Sequence, residues 1–286
     1  MDGSAARPRL LVALAGGLLV CAPTPLAQGA AACLAAAPTA GFALPTWLRE
    51  VSGLALSGDG RLWLHNDERG LVGAIDPANG ASLGTFQLGP NLLRGDLEGI
   101  TVAGDRLFVI TTTGQLIAAP VPARTVPSGV LTIEVIDTGL RPQCEIEGLA
   151  FEPAGRILLI ACKQPLVPAL AKQVTIFRWS IDANRLATPD RITIAEAALA
   201  PAGGRKARGF HPSAIERHPV TGQYWLLASA DQAFAVVDGA GRVLETGRLA
   251  KRHRQPEGLA IAPNGHLLIS DEGAKGPGTI TTYACR

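Results

Sequence analysis

A glutamate–glycine pair opens three separate apolar runs of this chain: DLEGI at 96–100, EIEGL at 145–149 and QPEGL at 255–259. Two further segments align with them, EVSGLAL around Gly53 and HPSAIER around Ala214. The five anchors are then Gly53, Gly99, Gly148, Ala214 and Gly258, separated by 46, 49, 66 and 44 residues. A second glycine follows seven places on at Gly60, Gly155 and Gly265, and eight places on at Gly222. Each unit therefore reads as a short apolar strand, a tight turn and a second apolar strand. Two more strand-like runs follow, such as LVGAID and SLGTFQL in the first unit, or QLIAAPV and LTIEVID in the second.

Four strands in roughly 45 residues is the pattern of a propeller blade. The chain is expected to be all-β, a five-bladed β-propeller of four-stranded antiparallel blades. Six blades is the alternative, but a sixth could hide only in the 66-residue step, which is too short for two full units. The fifth unit ends early, so the segment 38–46 is expected to supply its outer strand and close the ring.

The first 32 residues read as a cleaved signal peptide. Arg7 and Arg9 precede an apolar run at 10–22, too short to span a bilayer, and small residues crowd the positions that follow. An uncleaved anchor is the alternative. Residues 33–286 then form one propeller domain, exported to the periplasm or the extracellular space and expected to be a monomer. No other segment is apolar enough to span a membrane. The chain is 47% hydrophobic and 17% charged, which allows a large core. Sequence-independent phosphate binding needs a strong basic excess, which a net charge of +2 does not supply, so nucleic acid is not an expected partner.

Removal of the leader takes Cys21 and leaves four cysteines, for which three pairings exist. Cys144 and Cys162 flank one hairpin symmetrically about residue 153, which brings them within disulfide reach. Ring closure brings Cys33 near Cys285. Free thiols are the alternative in both cases.

In a propeller the innermost strand of each blade lines the central channel and starts at one mouth of it. Glu98, Glu147 and Glu257 should therefore converge on one axis, with Ser52 and Ser213 from the other two blades. The loop after each second strand returns to this mouth, bringing HND (65–67), ADQ (230–232) and SDE (270–272). Converging carboxylates need protonation, basic partners or a cation. Oxygen ligands from several directions suit a hard ion such as Ca²⁺. Glu98, Glu147 and Glu257, assisted by Asp96, Asp67 and Asp271, are the expected metal ligands. The alternative is that the glutamates cap backbone amides or pair with Arg94, Arg141 or Arg254.

The spaced Glu-Gly heads, with HNDERG and SDEG (270–273), resemble the SdiA-regulated family of exported bacterial propellers, distant relatives of the NHL-repeat propellers. The resemblance covers about residues 48–284, and it implies a five-bladed propeller with a calcium site. Ala214 replaces the glycine in unit four, and TTTGQ (111–115) has no acidic residue where other units do.

No G-x-S-x-G elbow, H-E-x-x-H, P-loop or C-x-x-C motif is present. His65 and His211 fall on the channel-mouth face, as do the basic loops 203–211 and 250–255. With Arg208 and Arg254 they form a candidate rim for a small anionic ligand, solvated loops being the alternative. Two functions fit. One is a calcium-binding module for a small anionic molecule or a protein. The other is a metal-dependent hydrolase of a phosphoester, ester or lactone acting at the channel mouth.

Overall fold

A computed structural model describes residues 1–2, 29–200 and 209–285. Most of the expected leader, together with Arg208, lies outside the described residues. Within them the chain forms five small sheets. Their inner strands are Val51–Leu56, Leu97–Ala103, Cys144–Glu152, Ala214–Arg217 and Pro256–Ile261. These are the five aligned segments, and the protein is a five-bladed β-propeller.

The turns follow from the second glycine of each unit. Gly60, Gly155, Gly222 and Gly265 all have φ between 72° and 83°, a left-handed backbone that costs glycine nothing. After each turn the second strand pairs back antiparallel on the first. Blade two turns instead at Gly104, φ 65°.

Blade five is closed as expected. Ala40–Ala43 pairs antiparallel with Thr279–Ala284, the last strand of the chain. Upstream of it, helix Ala30–Ala35 packs against blades four and five and is joined to the latter by a disulfide from Cys33 to Cys285. The carboxylate of Glu245 accepts hydrogen bonds from the first two amides of that helix, at 2.7 Å each.

The expected strand LTIEVID is divided in two. Ser128–Leu131 crosses to blade one and pairs in parallel with Ser82–Leu88, while Glu134–Asp137 completes blade two. The crossing gives blade one a fifth strand and covers an edge that would otherwise be open. Among the described residues the 66-residue step holds no extra blade. Its length goes into the eleven-residue strand Arg185–Ala195 and two 3-10 turns, Pro168–Leu170 and Glu196–Leu199.

The anchoring glycines set the ring's inner radius. A Cβ on Gly53 would fall 3.2 Å from the amide nitrogen of Ile100, and one on Gly99 would fall 2.7 Å from that of Leu149. One on Gly148 would lie 3.1 Å from the nitrogen of Ile215, and one on Gly258 would lie 3.0 Å from the carbonyl carbon of Gly53. Each of these glycines lets the next inner strand approach closely, and the last of them closes the circle. Between blades four and five, where Ala214 stands in place of glycine, the Ser213 hydroxyl donates to the Pro256 carbonyl at 2.7 Å.

Candidate functional site

Every Glu-Gly head carries an irregularity. The strand register shifts between Val51 and Gly53, Leu97 and Gly99, Ile146 and Gly148, and Pro256 and Gly258. The residue skipped is Ser52, Glu98, Glu147 or Glu257. A bulge leaves one residue out of the ladder and re-aims its side chain. The glycine thus permits close packing while the bulge turns the preceding residue to the axis.

The result is an axial cavity of about 10 Å³ lined by three consecutive residues from each of the five inner strands. Glu98, Glu147, Glu257, Ser52 and Ser213 all lie on its wall. Glu147 is 5% exposed and accepts a hydrogen bond from Lys163 Nζ at 2.7 Å through Oε1. Its Oε2 is buried without a hydrogen-bond partner among the described residues. Glu98 accepts from the Thr112 hydroxyl at 2.5 Å.

The electrostatics reflect crowded carboxylates in a poorly solvated place. Burial, then the charge of Glu98, pushes Glu147 up to about 8, against the pull of Lys163. Burial raises Glu257 to about 8, and raises Glu272 to about 7 with help from Asp67 and Glu50. Asp67 is raised to about 6 by burial and by Glu50. The Lys163 ammonium opposes the rise at Glu147, Glu257 and Glu272. Burial lowers its pKa, but Glu147, Glu98 and Glu257 together raise it.

The loops after the second strands are tied to the heads by one recurring main-chain bond. Asp67 N donates to Glu50 O (3.1 Å), Thr112 N to Asp96 O (3.0 Å) and Glu272 N to Gln255 O (2.9 Å). Asp67, Thr112 and Glu272 therefore occupy equivalent places around the mouth. Blade five contributes Glu272 there rather than Asp271. The Asp271 carboxylate is buried and engaged elsewhere: Oδ2 lies 2.7 Å from His253 Nδ1, and Oδ1 accepts from Gln255 N. His253, 0% exposed, also contacts the Tyr283 hydroxyl at 2.6 Å through Nε2. That network anchors the basic loop 250–255. Asp96 is exposed and contributes only its carbonyl.

The expected rim is changed in the same way. His65 is fully buried behind Gly53, and burial lowers its pKa to about 4. Arg254 is exposed and absent from the cavity wall. His211 does line a pocket, a cavity of about 170 Å³ between blades three and four. Its Nδ1 lies 3.0 Å from Asp231 Oδ2, which also accepts the His211 amide. Lys163, Lys172, Glu196 and Phe210 share this pocket. His218 is structural, its Nδ1 accepting amides from Val220 and Thr221.

Both cysteine pairs are disulfide-bonded, with Cα–Cα separations of 5.1 Å for Cys33–Cys285 and 5.8 Å for Cys144–Cys162. The hairpin centre is displaced from residue 153, because Glu152 pairs with Ile157. Cys144 therefore faces Pro165 and Cys162 faces Ile146, and the bond runs diagonally across the register shift between Glu145 and Ile146, where Lys163 is left out of the ladder.

Fold and site together define a five-bladed propeller with an acidic axial mouth. Solved structures share the architecture at low identity. Aldose sugar dehydrogenase from Streptomyces coelicolor, in its PQQ-bound form, matches with 13% identity and a TM-score of 0.51, covering 87% of this chain and 99% of that one. Glutaminyl cyclase from Myxococcus xanthus matches with 14% identity and a TM-score of 0.56, over 86% and 94%. A luciferin-regenerating enzyme matches with 9% identity and a TM-score of 0.51, over 85% and 92%. At such identities the likeness is one of fold. No family model and no curated protein matches the chain.

Proposed function

We propose that this protein is an exported calcium-binding propeller whose axial mouth presents a cation, and with it a binding site, to a small anionic molecule or a protein. The observation that carries this reading is the convergence of Glu98, Glu147 and Glu257, from three bulges on three blades, onto one small cavity. The buried Glu147 Oε2 is a ligand atom without a partner among the described residues. The donor set is oxygen only, which fits a hard cation in kind. Among the described residues no three His, Cys, Asp or Glu side chains are drawn together as a metal shell; Glu147 is engaged by Lys163 and Glu98 by Thr112.

Glu98, Glu147 and Glu257 would hold the ion, with Asp67 and Glu272 at the mouth above them. A bound Ca²⁺ would supply positive charge and open coordination positions for an anionic group. The resemblance to SdiA-regulated propellers supports the same reading, and the two disulfides are compatible with an oxidising compartment. Among the described residues no helix is long and apolar enough to cross a membrane.

Thermal melting tests the reading. Millimolar calcium should raise the melting temperature of chelator-treated protein by mass action. Magnesium should do so less well, because its tight octahedral shell suits residues from separate blades poorly. A melting curve indifferent to both ions would leave the glutamates as structural groups.

The hydrolase reading is favoured by one observation, His211 on a pocket wall shared with Lys163, its Nδ1 held by Asp231. An imidazole oriented by a carboxylate is the arrangement of a general base. Calcium-dependent turnover of a chromogenic phosphoester, ester or lactone, lost in His211→Asn, would support it. Absence of turnover across those classes would leave the binding module.

A further inference from the structure

Lys163 lies between two cavities, on the wall of one and bonded to a residue that lines the other. Its ammonium is bonded to Glu147 at the channel, and its side chain also lines the pocket between blades three and four. It is the counter-ion nearest the orphaned Glu147 oxygen, so a divalent ion seeking that carboxylate meets a positive charge already paired with it. The side pocket has the complementary problem. Lys172 and Glu196, both on its wall, cancel in charge. While Lys163 is paired with Glu147, the described residues of the pocket wall offer no surplus positive charge to an anion. Released from Glu147, Lys163 would bring a surplus positive charge beside Lys172 and His211. A four-carbon stem with three rotatable donors allows such a change of partner without backbone movement.

We propose that Lys163 is a two-position side chain that couples the channel to the side pocket. It is the counter-ion of Glu147 in the metal-free protein, and a ligand for a small oxyanion in the pocket once Glu147 is engaged by a divalent cation. The proposal rests on the cation reading above and extends it. Cation and anion then bind cooperatively, and the coupling is reciprocal. The metal-free protein binds the cation below its intrinsic affinity, because the competent arrangement is only one of two.

Calorimetric titration with calcium chloride tests this, with sodium sulfate compared against sodium chloride at matched ionic strength. In the native protein sulfate should tighten calcium binding at least about fivefold, the lower end of ordinary coupling between sites. Lys163→Met should bind calcium ~10-fold more tightly than the native protein, and sulfate should no longer matter. Lys163→Arg keeps the charge and should behave as the native protein does. Its metal-free form should also melt near the native temperature, whereas metal-free Lys163→Met should melt lower and be restored by calcium. Equal calcium affinity in native protein and Lys163→Met, or a sulfate effect that survives the substitution, overturns the coupling alone. Binding to neither protein overturns the cation reading with it. Should Lys163→Met not fold, Lys172→Met tests the pocket: the sulfate effect should vanish with that lysine, and its persistence overturns the proposal.

Discussion

Glu147 concentrates the conflict within the site: it is nearly buried, it faces Glu98 and Glu257, and a single lysine offsets it. Glu147→Gln keeps the shape and removes a charge, so calcium affinity should fall about tenfold or more, read by the shift in melting temperature with calcium concentration. The raised carboxylates also fix a pH dependence. Glu147 and Glu257 are raised to about 8, Glu272 to about 7 and Asp67 to about 6, so the folded state holds protons that the unfolded state has released. Their contribution is fully present below the ordinary carboxylate range and is lost as pH rises through 6 to 8. Metal-free protein should therefore melt lower at pH 8.5 than at pH 5. Each kcal/mol lost corresponds to about 2–4 °C for a domain of this size. Saturating calcium should remove most of the slope. The part due to Glu216, raised by burial to about 8 and lining a separate cavity at the far ends of the inner strands, should remain. A melting temperature that rises between these pH values would contradict the assignment.

At the level of strands, the Glu-Gly pair has a divided role. The glutamate sits in the bulge and faces the axis, while the glycine faces the neighbouring blade. Gly99→Ala would set a Cβ 2.7 Å from the Leu149 amide nitrogen, which is backbone and cannot turn aside. It should cost about 1–3 kcal/mol, the usual range for overpacking. Gly58→Ala, with nothing within 4 Å of the added carbon, should change stability by less than about 0.5 kcal/mol. Denaturant melts of the two variants give the comparison.

This scale also separates what could be read from the chain and what could not. The repeat period fixes five inner strands, and a glutamate before three of the four packing glycines points to the axis. The choice between Asp271 and Glu272 depends on strand alternation at the exit of a strand, where one residue decides inside or outside. Asp271 pairs with Pro256, and Glu272 follows it into the position of Asp67. Lys163 carries no sequence signal of this kind. It follows a cysteine in ACKQP, and only the ring brings it to Glu147. His65 is buried rather than at the mouth because it pairs with Gly53 across the first two strands of blade one, and its ring fills the space that glycine leaves.

The whole molecule is a ring closed twice. Ala40–Ala43 supplies the missing strand of blade five, and the Cys33–Cys285 bond ties that segment's start to the chain's end across 252 residues. Cys144–Cys162 spans only 18 residues within one blade. If loop-closure entropy governs, removing the long-range bond should cost about 5 kcal/mol and the local one about 3. Paired serine variants, unfolded in denaturant, should show that order. Equal losses would mean that native packing around Cys33 already closes the ring.

Calorimetric titration of chelator-stripped protein with calcium asks whether the axial mouth takes up a divalent cation. One saturable site should be seen at submillimolar concentration, and it should be lost when Glu98, Glu147 and Glu257 are all replaced by glutamine. The same titration without heat of binding up to millimolar calcium, or with unchanged binding in the triple variant, would contradict the account.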